Sequence, residues 1–272
     1  MRSITTGMTI STVHSAKRIE QHFHTGEEPV LVMCSDLNVY VCKYMRSSAI
    51  AYKLACEFIG AKLATAWQLN TPDIALVTIR QPHWEGMNLS HNLSAPSLGF
   101  RWLDGMVDIT PSTYIQVPAT KETLSQLMEI ALFDFWVANE DRNANNANLM
   151  YDVAHEQLVS IDYGCIFNTA TFDSPFSQLT STDTILWSDL FKHLLGDTDR
   201  QTVDTIAEHL REEYDECLNR SKNLATEVLT EMPQEWKVPS ETVSEKMRQL
   251  FNKRWVADVW DNFTECLNEN IG

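Results

Sequence analysis

Positive charge is scarce in this sequence of 272 residues: 21 Lys and Arg stand against 37 Asp and Glu, a net charge of −16. A surface of that sign repels phosphate backbones and anionic bilayers, which argues against a direct nucleic-acid binder or a membrane-surface protein. An anionic ligand would need its cations placed locally, as a lysine or a metal ion. Long apolar runs are missing too. No stretch reaches the roughly 18 apolar residues of a bilayer span, and the start, MRSITTGMTIST, lacks the apolar segment of a secretory signal. Six cysteines (Cys34, Cys42, Cys56, Cys165, Cys217 and Cys266) include no Cys-x-x-Cys pair and no zinc-like Cys/His spacing. They sit mostly in apolar runs, as buried free thiols do in a reducing cytosol, so a cytoplasmic location is expected. No Gly-x-Ser-x-Gly elbow and no Walker A run occurs, which removes the corresponding hydrolase and P-loop readings. Internal repeats and low-complexity tracts are also absent, and the acidic pairs Glu212–Glu213 and Asp215–Glu216 read as a solvated helix face.

What is present is a 44% hydrophobic chain, enough for a large core. Residues 29–45, PVLVMCSDLNVYVCKYM, read as two strands broken by the turn formers Ser35-Asp36-Leu37-Asn38, a hairpin. Ser47 or Ser48 caps a helix running to about Trp67, with Ile50, Leu54, Phe58, Ala61 and Leu63 on one face. Residues 74–79 (IALVTI) form a buried strand, 81–98 a loop, and 100–103 one more strand. From Lys121 the pattern turns helical, with Leu124, Leu127, Met128, Ala131, Leu132, Phe135 and Trp136 in register to near Asn139. Short strands follow at 149–151 and 158–161, then helices at 184–195, 201–218 and 241–267. Trp67, Trp102, Trp136, Trp187, Trp255 and Trp260 are expected in the core; His83, His91, His155 and His193 are scattered and expected in loops or on the surface. A β-rich front and a helical back give an α+β fold of two lobes, 1–110 and 111–272, meeting near residues 104–112 around a cleft.

Chemistry concentrates in residues 133–164, FDFWVANEDRNANNANLMYDVAHEQLVSIDYG. An apolar helix delivers the chain into a polar loop holding Asp141 and Asn146. A strand then ends in Ile161-Asp162-Tyr163-Gly164. Phosphoryl transfer asks for a carboxylate to orient the attacking hydroxyl, oxygen ligands for Mg2+, and a cation on the phosphates. Asp141 suits the first need, and Asn146 with Asp162 the second. Lys43, near a strand end before a helix that carries Glu57, suits the third. Lys53, one turn before Glu57, offers that glutamate an ordinary helix partner instead.

These residues resemble the catalytic and metal-binding core of the HipA-like kinases, in which an Asp-Arg-His loop and an Ile-Asp-Phe-Gly turn play these parts. The lead-in PVLVMCSDLNVYVCKYM and the stretch ACEFIGAKLATAWQLNTPDIALV are similar to the N-lobe of short HipA-like domains, and the resemblance spans about residues 29–195. It implies a bilobal protein-kinase-like fold, a requirement for ATP and Mg2+, Asp141 as catalytic base, and Asn146 and Asp162 as metal ligands. Lys43 would be the ATP-phosphate lysine, with Glu57 as its ion-pair partner. It also implies a protein substrate phosphorylated on serine or threonine and an antitoxin partner. The chain departs from the family pattern in three ways. No glycine-rich loop precedes Lys43, where HTGEEP supplies only Gly26; Asn143 stands where histidine is usual; and the extra N-terminal subdomain of full-length toxins is expected to be absent. Ser174–Leu186, rich in hydroxyls, occupies the place of an activation segment open to autophosphorylation. Two further readings stay open: a nucleotide-binding module without turnover, and a kinase for a small-molecule acceptor, for which an acidic surface suits cationic substrates.

Overall fold

The computed structural model describes residues 10–24, 26–87 and 93–271; His91 and the first nine residues lie outside them. The front of the chain forms a six-stranded sheet in the order β1-β5-β6-β4-β3-β2. Its strands are β1 (Ser11–His14), β2 (Gln21–His22), β3 (Val30–Met33), β4 (Val39–Lys43), β5 (Ile74–Thr78) and β6 (Ser97–Arg101). Only the β1–β5 pair is parallel among the pairs described. The β3–β4 hairpin turns through Leu37 at φ +68°, with the Asp36 carboxylate accepting from the Asn38 amide. Strict alternation governs both strands. Val30, Val32, Tyr40 and Cys42 are buried on one face, whereas Leu31, Met33, Val39, Val41 and Lys43 lie on the other and stay partly open.

Helix α1 (Ser48–Trp67) starts at the Ser47 cap and ends at Gln68, whose left-handed φ of 64° closes the last turn. The expected apolar stripe on one face is too narrow a description: every residue from Leu54 to Ala64 is buried. The reason is position, because α1 lies between the sheet and the C-terminal helices and has no wet side over that stretch. One core cluster runs without a break from Leu76, Leu98 and Phe100 of the sheet through α1 into the helical half. A second, smaller cluster covers the outer face of the sheet, around Val30, Val32, Cys42 and Val77. There the expected loop contains a short helix, α2 (Gln81–Trp84), whose Trp84 packs on this outer core.

The back of the chain opens with β7 (Met106–Asp108), which pairs with the hairpin β8 (Leu149–Asp152) and β9 (Gln157–Ser160). Helix α3 (Lys121–Val137) begins at a reciprocal Thr120–Thr123 cap and is buried throughout its last turns. Trp67 of α1 stacks on Trp136 of α3 at 5.1 Å, and Phe133 meets both rings edge-on. The indole of Trp136 donates to the Leu250 carbonyl and that of Trp255 donates to the Trp136 carbonyl, so α3 is moored to the last helices.

After the short α4 (Ile166–Ala170) come α5 (Asp189–Leu195), α6 (Arg200–Glu231), α7 (Ser240–Leu250) and α8 (Lys253–Ile271). Helix α6 outruns its expected end near 218 because Ser221 satisfies its hydroxyl on the Cys217 carbonyl and Val228 still reaches the core. The expected 241–267 helix is two, since the Asn252 side chain accepts from Arg254 and starts a new one. Trp102 and Trp187 are 43% and 38% exposed and so are not core residues, unlike the other tryptophans expected there, which are buried or partly so. All six cysteines are free thiols, and only Cys165 is not fully buried. Among the described residues no helix is long and apolar enough to cross a membrane.

Candidate active site

Lys43 is where the two halves of the molecule meet. It sits at the end of β4 with its ammonium against the Glu57 carboxylate of α1, 3.1 Å from Asp162 and 3.0 Å from Glu27. Lys53 does not take Glu57, as helix spacing allowed; it lines a small cavity with Lys43, Glu27 and Glu57 and makes no ion pair among the described residues. Burial alone would depress the Lys43 ammonium, but the charges of Glu57, Asp162 and Glu27 outweigh it and hold it well above its ordinary value. Burial drives the Glu57 carboxyl well up; Lys43 opposes this and the charge of Asp162 adds to it. For Asp162 the balance reverses. Burial raises it, yet the Lys43 ammonium and hydrogen bonds from its neighbours hold it far below the usual carboxylate range, so it is an anion.

Asp162 owes its presentation to backbone geometry. Its φ is +60°, a left-handed conformation that Asp tolerates better than most residues. The next amide, Tyr163 N–H, donates to Glu57 at 2.9 Å, tying the turn to α1. Two glycines make this approach possible. A Cβ on Gly60 would lie 2.3 Å from the Tyr163 Cβ, and one on Gly164 would lie 2.9 Å from a Glu57 oxygen.

Asp141 stands on the loop after α3. One carboxylate oxygen accepts from the side-chain amides of Asn146 and Asn148, both at 3.1 Å; the other has no partner among the described residues. Because Asn146 donates through its nitrogen, its amide oxygen accepts no hydrogen bond among the described residues. Beneath the loop lies a network that the sequence reading did not single out. Arg142 is fully buried, and its Nε donates to Asp134 of α3 at 2.8 Å. Its Nη1 donates to the carbonyls of Asn148 and Ala147, and its guanidinium lies 5.6 Å from the Tyr163 ring centre. Asn139 donates to the other Asp134 oxygen at 2.8 Å. Burial pushes the Asp134 carboxyl up to about 6, against the pull of Arg142. A lone carboxylate inside the apolar run ALFDFWVAN was the signal that could have found it.

The segment after Gly164 is unusual. Phe167, Asn168, Thr169 and Ala170 have φ values of 62°, 51°, 59° and 59°, a complete left-handed turn of L-residues. Glu140, next to Asp141, holds it by accepting from the Asn168 amide and the Thr169 hydroxyl, both at 2.8 Å. Asn168 also exchanges bonds with the backbone of Ser177. From α7, the buried Lys246 donates to the Ser174 carbonyl and stands 4.3 Å from the Phe176 ring centre. At Cys165, burial and the charge of Asp141 push the thiol up to about 11 while Lys53 pulls it down.

The arrangement fits a nucleotide with a divalent cation. Leu31, Met33, Val39 and Val41 make a partly open apolar floor leading to Lys43, which suits a purine. Among the described residues no three His, Cys, Asp or Glu side chains form a metal cage.

A strand lysine paired with a helix glutamate, above a helical half that presents an Asp-bearing loop and an Asp-x-Gly turn, is the architecture of a bilobal kinase-like protein. A family profile described as HipA-like kinase matches residues 16–262, and the chain belongs to that family. It is therefore a member of a kinase family, one whose chemistry in general uses ATP and a divalent metal. A search of curated proteins finds no match.

Proposed function

We propose that the chain is an ATP- and Mg2+-dependent kinase that phosphorylates a serine or threonine hydroxyl of a protein acceptor. In this reading it works in the cytoplasm as one half of a toxin–antitoxin pair, with lobes 1–110 and 111–272 closing on the nucleotide. The observation that carries it is the meeting of Lys43, Glu57 and Asp162 at one point, three residues drawn from a strand, a helix and a distant turn. Lys43, fixed by Glu57, holds the non-transferred phosphates. Asp162 and the amide oxygen of Asn146 are the metal ligands. Asp141, pinned by two amides on one oxygen, turns the other toward the acceptor hydroxyl and takes its proton. Bound ATP supplies the phosphoryl group, and its metal neutralises the charge that develops.

Labelled ATP tests this with wild type, Asp141→Asn and Asp162→Asn. Loss of the base should lower turnover by about a hundred- to ten-thousand-fold while nucleotide still binds. Equal ATP consumption by all three proteins would end the assignment. One observation favours the reading as a binding module: no glycine-rich loop precedes Lys43, and HTGEEP supplies only Gly26. Nucleotide binding by wild type with no turnover on any acceptor would select that reading. The net charge of −16 favours cationic small acceptors, for which aminoglycoside-like compounds in the same assay are the check.

A further inference from the structure

Between β2 and β3 runs the connection 23–29, in the place where protein kinases carry a glycine-rich cover for the phosphates. This chain puts two glutamates there. Glu27 reaches the Lys43 ammonium at 3.0 Å, and Glu28, at a left-handed φ of 46°, pairs with Arg46 at 2.9 Å. Arg46 also donates to the Gly26 carbonyl at 3.0 Å, and Phe23 N–H donates to the Pro29 carbonyl, which ties Gly26 and the two ends of the connection.

Three carboxylates surround the Lys43 ammonium, Glu57 as a hydrogen-bond partner and Glu27 and Asp162 as ion pairs. A phosphate that reaches this ammonium must displace at least one of them. The three partners are not equally fixed. Glu57 also accepts from Tyr163 N–H and Asp162 from Gly164 N–H, whereas Glu27 has no second bond among the described residues. Glu27 is the partner that can leave. Its departure also opens the cavity of about 10 Å³ that it helps to close.

Resting on the ATP reading of this site, we propose that Glu27 is a specificity residue that admits only metal-charged nucleotide. A bare polyphosphate arriving at Lys43 meets the charges of Glu27 and Asp162 and must displace one of them to reach the ammonium. A nucleotide that brings a divalent cation gives Asp162 a new partner, which releases part of the hold on Lys43. It also presents less negative charge to Glu27, so the glutamate can swing away at lower cost. Glu27 thus does for the phosphates what a glycine-rich loop does not: it makes their entry conditional on the metal.

Calorimetric titration of ADP and ATP, with excess Mg2+ and separately with EDTA, reads this without turnover. The proteins are wild type, Glu27→Gln, Glu27→Asp and Glu28→Gln. Glu27→Gln should bind metal-free nucleotide about tenfold tighter than wild type, with a change of less than about threefold when Mg2+ is present. Glu27→Asp keeps the charge and should keep the wild-type discrimination, as should Glu28→Gln, which loosens the same loop at Arg46. Equal gains with and without Mg2+, or no gain at all, would overturn the role of Glu27 and leave the kinase reading standing. No nucleotide binding by wild type even with Mg2+ would remove both.

Discussion

Lys43 and Arg142 are both cations drawn largely out of water beside Asp141 and Asp162, and they are partnered in opposite ways. Arg142 faces one carboxylate, two backbone carbonyls and an aromatic ring, with no exposure. Its charge is matched and its place is closed. Lys43 faces three carboxylates at the edge of a cavity, with Asp162 still 37% exposed. Its surroundings carry more negative charge than it can neutralise. A balanced buried pair fixes a shape, whereas an unbalanced one has a demand that a further cation meets. The loop that carries Asp141 is therefore built on the first cluster, and in the proposed kinase reading the ligand's phosphates and metal belong at the second.

The contrast can be broken most severely at Asp134. Replacing it with alanine leaves the Arg142 guanidinium buried without a counter-ion, a loss of about 3–5 kcal/mol that urea unfolding should record. A loss below about 1 kcal/mol would mean that the arginine is not a fixed foundation. A titration sharpens the same point. With its native pKa near 6 and an ordinary unfolded value near 3.9, Asp134 binds its proton more tightly when folded. Its contribution to stability is therefore largest below about pH 4, declines as pH rises to about 6, and is constant above. The decline corresponds to about 3 kcal/mol and should be missing from Asp134→Asn; a wild type that gains stability over this window relative to the variant would refute it.

A smaller effect is expected at Gly60. The added methyl of Gly60→Ala must push Tyr163 aside, costing about 1–3 kcal/mol and weakening nucleotide binding along with stability. Unchanged binding would separate α1 from the Asp162 turn. Smallest of all, Cys165 should resist iodoacetamide at neutral pH in wild type, because burial and the charge of Asp141 push its thiol up to about 11.

The parts of this site that were legible in the sequence are those whose residue type announces its chemistry. Lys43, Asp141, Asn146 and Asp162 stand where strand, loop and turn signals placed them. Whether Glu57 would take Lys43 or Lys53 stayed open, because helix spacing favours the local partner and only the strand's approach brings the distant one. Glu27 was passed over in a loop judged by the glycines it lacks. Asp134, Arg142, Asn148 and Glu140 act through backbone carbonyls and left-handed residues that no spacing rule describes. In the fold, the β3–β4 hairpin and the starts of α1, α3 and α6 were readable from turn formers, caps and apolar spacing, whereas β1, β2 and β7 were not anticipated. The end of α6 and the break at Asn252 were not, since both depend on single side-chain-to-backbone bonds.

The turn from Phe167 to Ala170 has a consequence of handedness. Each L-residue wound in that sense gives up roughly 1–2 kcal/mol relative to the right-handed coil. The bonds from Glu140 and Asn168 oppose that preference. The segment beyond Asp162 is thus a mirror-wound coil that those side chains grip. A single amide or carboxylate lost there would let the chirality of its own residues unwind it.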